Sequence, residues 1–261
     1  MSAKQTIRSD ISWSNRTHIF IHGHDLCKDL IGKASFGDMA FLELTGRLPN
    51  ERESAVFNAI AITLVEHGLT PSVIAARMTL CGAPEAMQAA VAAGVSGLGT
   101  VMVGSTEAAA RDLQTAIPFG KASGGNVMQL AQRIVDDYIA SKCAVPGIGH
   151  PFHKPVDPRA PRLFEVAEEN GFVGQYVELM KAISTVATER TGKGLPVNAT
   201  GAIAALASEL QLPWNIVKGI GVMARAIGIV GHLLEEMKNP MARQVHLLVE
   251  SAAEQKRSQR T

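Results

Sequence analysis

The sequence predicts an all-α fold, a multi-helix bundle with a large and a small lobe. Three observations carry this. Hydrophobic residues make up 46% of the 261-residue chain but aromatics only 5%, so the core is built from Ala, Leu, Ile, Val and Met. Apolar residues recur at helical spacing, as in Val56, Ile60, Leu64 and Val65. Gly and Pro punctuate the chain often enough to leave short connections, and the alternation expected of a strand is confined to one stretch.

That stretch is His18 to Leu26, read as a short strand or extended arm after a polar lead of Ser2 to Ser14. His18, His22 and His24 do not share one face with Asp25, and no metal site is expected there. Ser35 caps a helix with Asp38 in its first turn, and Gly46 ends it. Glu51 to Glu66 is helical, Gly68 ends that helix, and Thr70-Pro71 starts the next, running through Arg77 to Leu80. Ala83-Pro84-Glu85 opens a segment dense in Ala and Gly, from Ala89 to Gly99. Helix-interior Gly costs about 1 kcal/mol relative to Ala, so close helix contact must compensate. A two-fold axis of a homodimer or larger homo-oligomer is the expected partner surface. Ser105 to Ala116 and Asn126 to Lys142 are further helices, with a turn at Ser123 to Gly125. Helices are then expected over Asp157 to Asn170, Phe172 to Glu189, Ala199 to Leu210 and Trp214 to Met237, with a last one from Asn239-Pro240 to a charged end, Gln255 to Arg260. Leu195 to Asn198 is extended. The count is roughly ten helices in one domain over residues 1–261, with a small lobe at about 150–230. That lobe folds back to leave a cleft lined by His67, a central loop and Arg225.

Net charge is 25 − 24 = +1, so no global field recruits nucleic acid or membrane. Cys27, Cys81 and Cys143 lack metal spacing and fit buried thiols in a reducing cytoplasm. Met1 to Asp10 is too polar for a signal peptide, and no unbroken apolar run reaches the roughly 18–20 residues that span a bilayer.

The central loop runs Val145-Pro-Gly-Ile-Gly-His150-Pro-Phe-His153-Lys154-Pro-Val-Asp157-Pro-Arg159. Four prolines and two glycines in fifteen residues exclude an ordinary helix. Asp157-Pro158 reads as an N-cap followed by Pro at the first helical position. Composition alone leaves two readings open: a Pro-rich connector, or a rigid cationic loop for a phosphate- or carboxylate-bearing ligand.

The order of residues resembles the signature loop of the citrate synthase superfamily. The His-Pro-x-His-Lys form is most similar to its short members, the citryl-CoA lyases. His67-Gly-Leu-Thr-Pro-Ser with Ala75-Ala-Arg77, Leu44-Thr-Gly46-Arg-Leu-Pro49 and Met223-Ala-Arg225-Ala-Ile-Gly228 resemble further family segments, so the likeness runs from about Ile31 to Arg243. It implies a citrate synthase-like helical bundle. It also implies a catalytic and substrate-binding set of His67 and His150, with Arg225 gripping a substrate carboxylate. Arg243 matches weakly a second carboxylate Arg often donated across a dimer interface. Gly147, Ile148 and Gly149 would present backbone amides to coenzyme A, and Lys154 and Arg159 would meet its phosphates. The coenzyme A thioester is then a substrate, with no tightly bound cofactor and no metal. His232, two turns beyond Arg225, reads as a packing residue.

Two departures qualify the likeness. The family segment whose His stabilises the enol of acetyl-CoA corresponds to Val101 to Glu107, where no His stands; its partner is Met102 or Val103. Thr200, in Asn198-Ala-Thr200-Gly201, occupies the position of the family's proton-moving Asp, and a hydroxyl is a poor general base near neutral pH. Enolisation of acetyl-CoA loses its base, whereas cleavage asks only that a hydroxyl proton be taken, by His150 or His153, and that the enolate be stabilised by backbone amides or Thr200. The reading that follows is a lyase releasing acetyl-CoA and an oxaloacetate-like 2-keto acid from a citryl-CoA-like thioester. Two alternatives remain: the same chemistry on another keto acid or acyl-CoA, and a non-catalytic CoA-binding subunit.

Overall fold

The computed structural model describes residues 8–101, 103–124 and 126–258, with side chains to 254. Expectations for the extreme N-terminus, Met102, Gly125 and the side chains of the charged end lie outside the described residues. The chain begins with a three-stranded antiparallel meander, β1 (Ser12–Ser14), β2 (Ile19–Ile21) and β3 (His24–Asp25), turning at His22 and Gly23. Trp13 stacks on Phe20 across it. Asp25 caps a short π-turn, Leu26–Leu30, by accepting from the amides of Cys27 and Lys28.

Eleven α-helices follow among the described residues. The first half holds α1 (Phe36–Thr45), α2 (Glu51–Val65), α3 (Pro71–Gly82), α4 (Met87–Ser96), α5 (Gly104–Ala116) and α6 (Val127–Ala140). The second half holds α7 (Arg159–Glu169), α8 (Gln175–Thr191), α9 (Ala199–Glu209), α10 (Trp214–Lys238) and α11 (Ala242–Ser258). Capping boxes at Ser35/Asp38 and Asn50/Glu53 start α1 and α2, and left-handed Gly46 and Gly192 stop α1 and α8. The start of α7 is one residue later than expected. Asp157 accepts the Arg159 amide but faces inward, because its carboxylate has further partners in the core.

The core wraps α9, which is buried from Ala199 to Ser208 except Thr200 and packs against α2, α5, α7, α8 and α10. Gln114 of α5 donates to Ser208 and to the Leu212 carbonyl, and accepts the Trp214 amide, so one buried side chain ties α5, α9 and α10. These partners sit near the C-terminal ends of α5 and α9, so the two helices run parallel. Glu209 accepts from the amides of Gly174, Tyr176 and Val177 and caps α8 from a distance.

Two expectations, on membrane-spanning length and on the burial of the cysteines, are corrected. α10 is, by length and composition, apolar enough to cross a membrane despite the absence of an unbroken apolar run. It packs against α2, α3, α4, α5 and α9, and it buries an Arg. On α4, Gly94 serves packing within the chain, and the exposed small residues leave a face open for the expected partner copy. A methyl on Gly94 would press on Ile229, Ala76 and the Ser72 carbonyl, while Ala89 and Ala92 stay exposed. The cysteines, too, are exposed and not buried.

The central loop is fastened to the start of α9. Gly147, in the left-handed region, lies backbone against backbone with Gly201, and Ile148 bridges to Val197. A side chain on Gly201 would overlap the Gly147 carbonyl. Gly201→Ala is therefore expected to cost about 1–3 kcal/mol by overpacking, a fall of roughly 2–10 °C in Tm. Differential scanning calorimetry checks this, and an unchanged melt would contradict the close contact.

Candidate active site

A cavity of about 660 Å³ opens where helix beginnings converge. Its wall includes Thr70 and Ser72 at the start of α3, Val103, Ser105 and Thr106 at the start of α5, and Asn198 to Thr200 at the start of α9. Arg159 begins α7 and lines it too. Helix N-termini carry partial positive charge and unsatisfied amides, so this wall favours an anion. Neither α3 nor α5 has a side-chain cap, although backbone carbonyls of Gly99 and Val103 take the Gly104 and Thr106 amides of α5.

The sequence expectations separate here. His67, His150, Gly149, Arg159, Thr200 and Arg225 all line the cavity. Lys154 is exposed and outside its wall, as is Arg243, exposed at the start of α11. Gly147 and Ile148 also lie off it. The expected role of the Gly149 amide is corrected, because that amide donates to the Pro196 carbonyl at 2.7 Å and is not free for a ligand. The glycines are needed for the close approach of the loop to α9.

Arg225 is 9% exposed, and its Nε donates to the Leu64 carbonyl at 3.2 Å. Its terminal amino groups have no protein partner among the described residues. Burial and the nearby Arg159 lower its proton affinity, while Glu66 raises it. Arg77 makes the contrast. It is buried more deeply still, at 3% exposed, but it pairs with Glu236 at 2.6 Å and Glu235 at 2.8 Å and locks α3 to α10. His232 shares this network, 3.1 Å from Glu66 and 3.5 Å from Arg77. Arg77 is therefore structural, and Arg225 lacks the partner that an ion buried to this degree requires.

His67, His150 and His153 cluster, with ring centroids 4.4 Å apart for His150 and His153 and 5.7 Å for His67 and His153. Their nitrogens lie within 4.8 Å of one another, a spacing that suits a metal on distance alone. The donor set argues otherwise. His150 Nδ1 accepts the amides of Phe152 and His153, at 3.2 and 3.0 Å. The proton of the neutral ring then sits on Nε2, making it a donor toward the cavity. Burial and the adjacent His153 lower the His150 pKa; burial, Arg159, His153 and Arg225 lower that of His67. Both rings stay neutral at pH 7 beside two guanidinium groups, a setting that disfavours a cation and suits an anion.

Three residues that organise the site gave no functional signal in the sequence. Asn198 donates to the Gly149 carbonyl, accepts the Gly201 amide and donates its own amide to the Gly147 carbonyl. Glu66 accepts the amides of His67 and Gly68, fixing the bend that carries His67. Gly228 lets the end of α2 reach α10, since a side chain there would strike the Val65 carbonyl and Glu66.

Asp157 joins these parts. Its buried carboxylate accepts from Arg159 Nε at 3.0 Å, Arg159 Nη2 at 2.9 Å, the Arg159 amide and the Ala199 amide at 3.0 Å. Burial opposes its ionisation, but the guanidinium and the two amides outweigh that and hold its pKa at about 2. A depressed carboxylate pKa stabilises the fold fully above the unfolded value of ~4, and that stability is lost as pH falls through about 2. Asp157→Asn should therefore remove about 2 kcal/mol of stability at pH 7 and flatten its dependence between about pH 5 and 2. Denaturant melts across that range check the slope; parallel slopes in both proteins would contradict the assignment.

Comparison with known proteins agrees with this architecture. The model of the citrate synthase C-terminal domain family matches residues 35–245. A citrate synthase from Heyndrickxia coagulans is 26% identical over 198 residues, covering 75% of this chain; the chain spans about half (51%) of that relative's length. The solved citryl-CoA lyase of Hydrogenobacter thermophilus superposes with a TM-score of 0.80 at 32% identity, covering 90% of this chain and 88% of that one. An ATP citrate lyase of Methanosaeta concilii, solved with (3S)-citryl-CoA, shares the fold over 91% of this chain and 40% of its own, at 21% identity and a TM-score of 0.73. With the family model matched over most of its length and its helices in the same arrangement, this chain belongs to the citrate synthase superfamily.

Proposed function

We propose that the chain is a lyase that cleaves a citryl-CoA-like thioester to acetyl-CoA and an oxaloacetate-like 2-keto acid. The observation that carries the reading is the cavity wall: two arginines, two histidines, six hydroxyl side chains and, among the described residues, no carboxylate. A polycarboxylate thioester supplies the charge that Arg225 lacks. Arg159, held by Asp157 through Nε and Nη2, lines the same cavity, and we assign it to the carboxylates in preference to the coenzyme A phosphates expected from the resemblance. The coenzyme A thioester enters as substrate past the exposed Phe152 and Val101, and Lys154, exposed two positions after Phe152 in the same loop, is assigned to its phosphates.

In cleavage the substrate hydroxyl gives up its proton, the bond from the carbinol carbon to the thioester α-carbon breaks, and the electron pair passes to the thioester as an enolate. The α-carbon then takes a proton, so the net proton count is unchanged. His150, with Nδ1 occupied, donates from Nε2 to the nascent keto oxygen. His67 is neutral, and its ring has no hydrogen-bond partner among the described residues; it accepts the hydroxyl proton, in place of the His150 or His153 first suggested. Thr200 donates to the enolate oxygen. The similarity to the Hydrogenobacter thermophilus lyase supports this direction of reaction.

Two measurements test the reading. Arg225→Ala should lose roughly 10–100-fold in kcat/KM for citryl-CoA cleavage while melting normally, the loss expected for a charged hydrogen-bond partner. Normal cleavage by the variant would remove Arg225 from the site. The unmodified protein should cleave citryl-CoA yet exchange the methyl protons of acetyl-CoA with deuterium slowly, because no carboxylate base stands at the α-carbon. Thr200→Val should slow cleavage about tenfold, and Thr200→Ser should stay within about threefold. Rapid exchange in the unmodified protein would show another base at work.

A further inference from the structure

The family's enol-stabilising His is missing from Val101 to Glu107, yet this segment still reaches the cavity through Val101, Val103, Ser105 and Thr106. Val101 is 87% exposed at the mouth, and Val103 packs inward against Gly221. No imidazole from this segment can meet a thioester. The segment instead delivers the beginning of α5.

α5 and α9 are in contact, joined near their C-terminal ends by the Gln114–Ser208 bond and opening at their N-terminal ends on one cavity, so they run parallel. Parallel neighbours place their positive ends side by side; the Asp157 carboxylate already meets the α9 end at the Ala199 amide, so the α5 end is the one still short of an anion. Both ends open on the same cavity, with Thr106 and Ser105 on one and Thr200 on the other. α5 lacks a side-chain cap. Thr106 is 3% exposed, faces the cavity and makes no hydrogen bond to another described residue. Arg225, nine-tenths buried with its terminal amino groups unpartnered among the described residues, lines the same chamber and independently marks it as an anion site.

We infer that the paired beginnings of α5 and α9 form an oxyanion hole for the thioester enolate, with the Thr106 and Thr200 hydroxyls as its side-chain donors. The inference rests on the proposed cleavage of a CoA thioester and adds the group that replaces the missing imidazole. Negative charge that develops on the thioester oxygen as the carbon–carbon bond breaks is held by donors already in place, and it drains when the α-carbon takes its proton. Thr106 is then a catalytic residue that sequence position assigns to nothing.

Carboxymethyl coenzyme A, a thioether whose carboxylate sits where the enolate would form, is the probe. Calorimetry should give about tenfold tighter binding of this probe than of acetyl-CoA by the unmodified protein. Thr106→Val should bring the two within about threefold while acetyl-CoA affinity holds, and Thr106→Ser should keep the preference. No preference in the unmodified protein, or one untouched by Thr106→Val, would overturn the hole while leaving thioester binding intact. Should neither CoA compound bind, the cleavage reading itself falls. The unmodified comparison needs no variant, so a Thr106→Val protein that failed to fold would still leave the hole open to refutation.

Discussion

The site depends on one buried carboxylate. Asp157 binds the guanidinium of Arg159 on one side and the first amide of α9 on the other, so a Pro-rich loop and a core helix share a single fixed point. Without it Arg159 would turn toward solvent, the loop would lift from α9, and His150 would lose the backbone that orients its ring. Asn198 and the Gly147–Gly201 contact repeat the fastening one turn away. A loop with this many prolines has little freedom left, so three attachments suffice to hold its histidines against the cavity.

Charge explains the rest of the chamber. Burying a cation is costly, and the fold answers that cost at Arg77 with two glutamates but leaves Arg225 with one carbonyl. Four helix beginnings face the same space. The protein has concentrated positive potential in one place while its net charge stays at +1. Such a site selects small polyanions by local geometry, not by long-range attraction.

Much of this was legible in the sequence. The helices announced themselves through caps and glycine stops at Ser35, Gly46, Pro71 and Gly192, because those signals act over one turn and need no tertiary partner. Arg225 stood out as a lone charge among Ala, Ile and Gly, and His67, His150 and Thr200 were found through segment likeness. What stayed hidden depends on distant partners. Asp157 read as an ordinary cap because its bond to Ala199 spans 42 positions. The pairing of Arg159 with Asp157, which holds two of its guanidinium nitrogens, could not be read from the loop's composition. The tautomer of His150 follows from two amides whose positions only the folded loop defines. The parallel course of α5 and α9 left no periodic trace at all.

Among the described residues no carboxylate stands in the cavity wall, which separates this chamber from one built to deprotonate a methyl thioester. On the proposed reading, its hydroxyls and helix ends stabilise charge that arrives with bond cleavage and do not create it by pulling a proton from carbon. The central claim is that the inner chamber is a polycarboxylate site formed by Arg159 and Arg225. Titration calorimetry with oxaloacetate and pyruvate tests it most directly. The account predicts that oxaloacetate, with its second carboxylate, binds at least about tenfold tighter than pyruvate. Equal affinity for the two acids, or no binding of either, would contradict it.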